Sequence, residues 1–188
     1  MSLAQARQVS EGLYPHQVEG LAFLLGRKRS ILADDMGLGK TRQSILAFSH
    51  ADSGGPYLVL CPASVKLNWQ REIAMVLPEA KTHIVGPAPP PAPGFDGWVI
   101  LNYDILGKHL EALLTHNWVG IAFDEAHYLK NHRSQRSRFA RTLVDRTAGD
   151  PVVHALTGTP LTNRPRDLFP LLQLVDHPLG RSFMSFSQ

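Results

Sequence analysis

Cysteine is almost missing from this chain of 188 residues: Cys61 stands alone. One thiol excludes an internal disulfide and a zinc site built on cysteines, and suits a reducing compartment. Long apolar runs are missing too. No stretch approaches the roughly 18 apolar residues that would span a bilayer, and residues 1–11 lack the apolar core of a secretory signal. The sequence therefore predicts an intracellular protein with no membrane role, cytoplasmic in a bacterium or nuclear in a eukaryote. No internal repeat is visible. Charge imbalance is slight, with 19 Lys and Arg against 16 Asp and Glu for a net +3. Such a balance permits a polyanionic partner without requiring one. The excess gathers in one segment, where Lys130, Arg133, Arg136, Arg138, Arg141 and Arg146 face only Asp145. This segment reads equally as a solvated helix face or as a nucleic-acid contact.

What is present is apolar material, 44% of residues. That is enough for one sizeable core. Residues 1–12 read as a leading segment and 13–188 as one domain. Short apolar runs at 30–33, 57–61, 82–85, 98–101, 119–123 and 152–156 read as strands, several buried on both faces. Helical stripes lie between them: Val18, Leu21, Ala22 and Leu25, then Leu106, Leu110, Leu113 and Leu114. Residues 66–76 and 133–143 also read as helices. A last stripe, Leu168, Leu171, Leu172 and Val175, contains Pro170, which should kink or shorten it. The tract from Gly86 to Gly94, dense in proline, reads as a stiff surface connector. Strand–helix alternation predicts an α/β fold with a mostly parallel central sheet and helices on both faces. In such sheets ligands bind beyond the carboxyl ends of the strands.

The first candidate site follows the first strand. Asp34-Asp35-Met36-Gly37-Leu38-Gly39-Lys40-Thr41 has the features of a phosphate-binding P-loop, with Asp34 where the strict pattern has glycine. Glycines let the loop turn tightly and present amides, and the following helix aims its positive end at the anion. Lys40 supplies a full charge to the β and γ phosphates, and the Thr41 hydroxyl suits magnesium. The second site follows the fifth strand: Asp124-Glu125-Ala126-His127. A carboxylate there is placed to hold magnesium, and Glu125 to orient an attacking water. Together they predict ATP and Mg2+ as cofactors, with Lys40, Asp124 and Glu125 as catalytic residues. His127 and His132 lack a third ligand at metal-site spacing and read as coupling or packing residues. Gln17 has a donor and an acceptor suited to the adenine edge. Tyr14 reads either as a base-stacking aromatic or as a helix-capping residue beside Pro15. Thr157-Gly158-Thr159 reads either as a coupling segment contacting the acidic motif or as a strand-ending turn.

Taken in order, these pieces resemble the first-lobe motifs of superfamily 2 helicase-like proteins. They are Gln17, the Asp35-to-Thr41 loop, Cys61-Pro62-Ala63-Ser64 with Asn68-Trp69, Asn102-Tyr103-Asp104, Asp-Glu-Ala-His and Leu156-Thr157-Gly158-Thr159-Pro160. Asp35-Met36-Gly37-Leu38-Gly39-Lys40-Thr41, Trp69 with Glu72, and Leu129-Lys130-Asn131 narrow the resemblance to the Swi/Snf-related branch. Leu161-Thr162-Asn163 supports it, and Asp35 departs from the family's usual glutamate. The resemblance implies a RecA-like ATP-binding lobe of a double-stranded DNA translocase or remodeller. It implies that Lys40, Thr41, Asp124 and Glu125 serve ATP and magnesium, with Thr41 and Asp124 at the metal, and that Gln17 serves adenine. The reading of the loop itself adds Met36, Gly37, Leu38 and Gly39 as nucleotide contacts, and that of the aromatic adds Tyr14. The resemblance also implies DNA-backbone contacts at Pro62, Ala63, Ser64, Asn102 and Tyr103; the coupling candidates stay those of the residue reading, His127, Thr157, Gly158 and Thr159. A second RecA-like lobe, in the same or a separate polypeptide, would complete the site. This chain alone is therefore expected to bind ATP weakly and turn it over poorly. Two other readings remain at this point: a different superfamily 2 motor, such as an RNA helicase or restriction motor, and an ATP-binding docking module without turnover.

Overall fold

A computed structural model describes residues 12–51, 54–158 and 165–186. Six strands form one sheet: β1 (Arg29–Leu32), β2 (Tyr57–Cys61), β3 (Thr82–Ile84), β4 (Trp98–Asn102), β5 (Gly120–Phe123) and β6 (Val152–Leu156). Their order is β1-β6-β5-β2-β4-β3, and every neighbouring pair is parallel. All six expected strands exist, with ends moved by a residue at most. The reason lies in burial. β2, β4 and β5 are buried along their whole length, and unbroken apolar runs are what strands covered on both faces require.

The sheet separates two apolar layers. Alternate residues of one strand serve opposite faces. Leu58 and Leu60 of β2 join one layer, while Tyr57, Val59 and Cys61 join the other. The first layer is closed by α4 (Leu106–Leu113), α5 (Gln135–Arg146) and α6 (Phe169–Leu174), through Leu106, Leu110, Leu143 and Leu171 among others. The second is closed by α1 (Pro15–Leu25), α2 (Lys40–Ala51) and α3 (Lys66–Val76), through Leu21, Ile45, Phe48, Trp69 and Ile73. This is the predicted α/β sandwich, and its parallel strands place all carboxyl ends on one edge.

The helices show where local pattern and tertiary context part. α1 buries Val18, Leu21 and Leu24, whereas Ala22 and Leu25 are only partly covered. The apolar stripe is wide enough to accept either phase. α5 starts two residues later than the pattern suggested because Ser134 caps it, its hydroxyl accepting from the Ser137 amide at 3.2 Å. Pro170 does not kink α6. It occupies the first turn, where a backbone N–H has no intrahelical partner to lose.

α5 also resolves the basic segment. Arg136 pairs with Asp104, Arg141 donates to the Gln173 side chain at 3.3 Å, and Arg146 lies 3.4 Å from Glu111. Lys130, Arg133 and Arg138 stand exposed. Half of the cluster is thus engaged within the fold, and half faces solvent. His132 takes the packing alternative, with its ring stacked 4.9 Å from Phe183 and edge-on to Phe169.

Candidate nucleotide site

Register brings distant motifs together. Leu32 of β1 pairs with Leu156 of β6, and Ala155 of β6 pairs with Phe123 of β5. β6 therefore inserts Thr157 and Gly158 between the glycine loop after β1 and the acidic pair after β5. A cavity of about 420 Å³ opens at these ends. Gln17, Met36, Gly37, Gly39, Lys40, Thr41, Asp124 and Glu125 all border it. Arg42 and three residues of the α3 side, Val65, Asn68 and Glu72, complete its wall.

The loop is shaped by two glycines with left-handed backbone, Gly37 at φ +83° and Gly39 at φ +75°. Side chains resist that conformation. Gly39 has a second reason: a Cβ there would sit 2.2 Å from Gln17 Nε2. The Leu38 carbonyl between them accepts from Gln17 Nε2 at 3.1 Å and Gln43 Nε2 at 3.2 Å. Two amides thus hold this carbonyl outside the cradle. Lys40 opens α2, and its ammonium donates to the Asp34 and Asp35 carbonyls at 2.8 and 2.9 Å. A phosphate entering the loop would offer that ammonium stronger, charged acceptors.

Gln17 does more than border the cavity. Its Oε1 accepts from the Tyr14 amide at 3.0 Å and so caps α1, while its Nε2 holds the loop. One side chain joins the first helix to the phosphate loop. Tyr14 takes the capping alternative. It is the N-cap residue, its ring stacks on His16 at 5.9 Å, and it does not border the cavity.

The acidic pair has an unusual backbone. Glu125 is left-handed, φ 47° and ψ 50°, although it carries a side chain. That geometry costs on the order of 1–3 kcal/mol and concentrates at functional sites. The turn lets Asp124 and Glu125 both reach the cavity from consecutive positions. Asp124 is buried and held at three points. Trp69 Nε1 donates to Oδ2 at 2.7 Å, the Glu125 amide to Oδ1 at 2.9 Å, and the Tyr103 hydroxyl to the backbone carbonyl at 2.7 Å. Burial pushes the Asp124 carboxyl above the usual range, and the Glu125 charge adds to this. The Trp69 bond and the Lys40 charge oppose it. Nearby, burial first and Asp124 second raise the Cys61 thiol to about 12. Cys61 is thus an inert packing residue, not a nucleophile. His127 Nδ1 lies 3.1 Å from Glu125 Oε2, within ion-pair range but without hydrogen-bond alignment.

The donor set suits Mg2+. A hydroxyl, a buried carboxylate and room for phosphate oxygens match a hard ion that keeps few protein ligands. Among the described residues no group of three or more His, Cys, Asp or Glu forms a closed metal cage. Glu125 Oε2 is buried without a hydrogen bond, a polar atom left for a partner arriving in the cavity.

Two expected DNA-facing side chains point inward instead. Tyr103 is 3% exposed with its hydroxyl satisfied by Asp124, and burial holds its ionisation well above the ordinary range. Asn102 is buried, its Oδ1 accepting from Lys66 Nζ at 3.2 Å. Buried polar groups take internal partners, and these two have them. Ala63 and Ser64 are exposed and Pro62 partly so, on the short helical turn after β2. Thr157 is buried; its amide extends the sheet by donating to the Leu32 carbonyl at 3.0 Å. Gly158 lies against the loop, since a Cβ there would meet Met36 Cγ at 2.7 Å. Thr159 falls outside the described residues. Pattern reading missed Gln43 and passed over Trp69 and Glu72 as mere resemblance markers. The available signal was the indole itself, whose N–H must find an acceptor when the ring is buried.

The SNF2-related domain model matches residues 16–188. This chain belongs to the SNF2-related family. A Caenorhabditis elegans homologue of the SWI/SNF-related matrix-associated actin-dependent regulator of chromatin subfamily A-like protein 1 is 34% identical over 182 residues. That match covers 94% of this chain and 26% of the relative. The putative ATP-dependent helicase/translocase YwqA of Bacillus subtilis is 34% identical over 181 residues, covering 87% of this chain and 19% of the relative. The chain thus spans about a quarter or less of these relatives. Among solved structures, the Sulfolobus solfataricus SWI2/SNF2 ATPase core in complex with dsDNA superposes with a TM-score of 0.79 at 28% identity. It covers 94% of this chain and 38% of that one. The fold of this SNF2-related chain is accordingly the RecA-like fold of that core.

Proposed function

We propose that this chain is the first motor lobe of an ATP-dependent double-stranded DNA translocase of the Swi/Snf type, working inside the cell. The observation that carries the reading is the meeting of Lys40, Thr41, Asp124 and Glu125 on one cavity at the carboxyl edge of the sheet. Gly37 and Gly39 shape the loop that receives the phosphates, and the α2 N-terminus faces them. Lys40 exchanges the Asp34 and Asp35 carbonyls for phosphate oxygens. Thr41 and Asp124 would hold Mg2+, which would supply neutralising charge to the phosphates. Glu125 accepts a hydrogen bond from the attacking water and aligns it with the γ phosphorus. Gln17 turns its amide from Leu38 to the adenine edge, so nucleotide binding and the position of the loop become linked.

Thr157 and Gly158 stand between loop and acidic pair, placed to respond to what the cavity holds, and His127 reports from the other side of Glu125. DNA backbone is met by Pro62, Ala63 and Ser64, through contacts that are salt-sensitive and indifferent to base sequence. The side chains of Asn102 and Tyr103 are not part of that surface. A second RecA-like lobe supplies the arginines that complete the site, each such finger being worth ~10³–10⁵ in rate. What supports DNA as partner is the likeness to a core whose structure holds dsDNA.

The test is steady-state ATP hydrolysis by this chain and by a two-lobed polypeptide containing it, with no nucleic acid, duplex DNA or single-stranded RNA. Turnover stimulated by duplex only in the two-lobed protein is expected. Stimulation by RNA alone, or by neither, would refute the duplex translocase.

A further inference from the structure

We propose that Trp69 is a positioning residue for the magnesium-binding carboxylate, acting through Asp124. The inference rests on the proposed nucleotide function and gives a role at the site to a residue that the motif pattern marked without assigning one.

Trp69 sits in the first turn of α3 and is fully buried in the layer beneath the sheet. Packing alone would be served by any large apolar side chain. The indole instead turns its one polar atom to Asp124, 55 positions away, and donates to Oδ2 at 2.7 Å. Such a short bond to an ionised acceptor is among the stronger ones a neutral donor makes. Oδ1 takes the Glu125 amide at 2.9 Å. With one donor on each oxygen, the carboxylate plane is fixed, and each oxygen keeps a second lone pair for a ligand on the cavity side. The Tyr103 hydroxyl pins the backbone of the same residue at 2.7 Å. A carboxylate at the end of a strand, before a left-handed residue, would otherwise rotate freely about its side-chain torsions. α3 meanwhile contributes Asn68 and Glu72 to the cavity wall. Through Trp69, that wall and the metal ligand move as one body.

Partners that orient a metal ligand typically change metal affinity by 10–100-fold when removed. Trp69→Phe keeps an aromatic side chain in the core and deletes the N–H, while its smaller ring leaves a cavity whose cost should fall equally on binding with and without Mg2+. The measurement is calorimetric binding of ADP to the whole chain, with Mg2+ and with EDTA. We expect Trp69→Phe to weaken Mg·ADP about 10-fold or more while leaving ADP in EDTA within about twofold. In an Asp124→Ala background the same change should add nothing. Equal weakening in both conditions would show a packing role and overturn the proposal. Unaltered Mg2+ dependence would also overturn it, leaving the nucleotide reading intact, whereas failure of a two-lobed protein containing this chain to bind ADP would remove both. A second measurement needs no variant. On adding Mg2+ to the ADP-saturated native chain, the Trp69 indole N–H resonance should move, while that of Trp118, bonded to the Leu113 carbonyl at 2.8 Å, should stay. A stationary Trp69 resonance would equally sink the idea.

Discussion

His154 offers a stability measurement whose size follows from its surroundings. It lies in the middle of β6, fully buried, with its ring stacked 4.3 Å from Phe48 at an interplanar angle of 1°. Nδ1 meets the Ser44 hydroxyl at 2.8 Å, and Nε2 has no partner. Burial alone lowers its pKa to about 3. An unfolded histidine titrates near 6.5. Between these values the unfolded chain binds a proton that the folded chain refuses, so stability falls as pH falls. The loss begins near pH 6.5 and proceeds at about 1.4 kcal/mol per pH unit until the folded pKa is reached. Going from pH 7 to pH 5, this one residue should withdraw about 2 kcal/mol. Asp124 contributes with the opposite sign, because its folded pKa is raised: its ionisation weakens the fold, and acid relieves it. His109, lowered by burial and then by Lys108, adds to the loss. The comparison must therefore be a difference. Urea midpoints of the native chain and His154→Gln, measured from pH 7 to pH 5, should diverge by about 2 kcal/mol in pH dependence, the variant being flatter. His154→Gln will itself be less stable at pH 7, having lost the stack on Phe48. Parallel pH profiles would refute the assignment of His154 as a neutral buried base.

Other expectations concern the cavity. Lys40→Ala should abolish ATP and ADP binding in a fluorescence titration; retained micromolar affinity would remove the P-loop role. Gly37→Ala and Gly39→Ala both force a side chain into left-handed backbone, about 1–2 kcal/mol each by urea unfolding. Gly39→Ala should cost more, because its methyl group also displaces the Gln17 amide, while nothing lies within 4 Å of one at Gly37; equal losses would argue against the Gln17 bridge. In a two-lobed protein, Glu125→Gln should keep nucleotide binding and lower turnover about 10²-fold or more. Normal hydrolysis by that variant would remove Glu125 from the water-orienting role.

The sequence was most readable where one local requirement dictated the residues. Buried strands need unbroken apolar runs, and six such runs became six strands. A loop that wraps phosphate needs left-handed backbone, so glycine had to stand at 37 and 39. What could not be read locally is which way a side chain turns after a strand ends. Asn102 ends β4 and Tyr103 follows it, much as Cys61 ends β2 and Pro62, Ala63 and Ser64 follow it, and nothing in either stretch separates inward from outward. The separation comes from sheet order. β4 lies beside β2, which lies beside β5. That order gives Tyr103 the Asp124 carbonyl as a partner and gives Asn102 the Lys66 ammonium. The Ser64 hydroxyl meets solvent. The same order carries Trp69 to Asp124 across the carboxyl edge. Groups that touch a ligand are thus legible because chemistry fixes their type and spacing. Groups that hold those residues in place are legible only once the strands are arranged. For this site the second set is Gln17 on the loop and Trp69 and Tyr103 on Asp124; it ties the loop to the layer closed by α1, α2 and α3, and Asp124 to both layers of the core. A change in packing far from the cavity should therefore reach the phosphates through these three side chains before it disturbs the sheet.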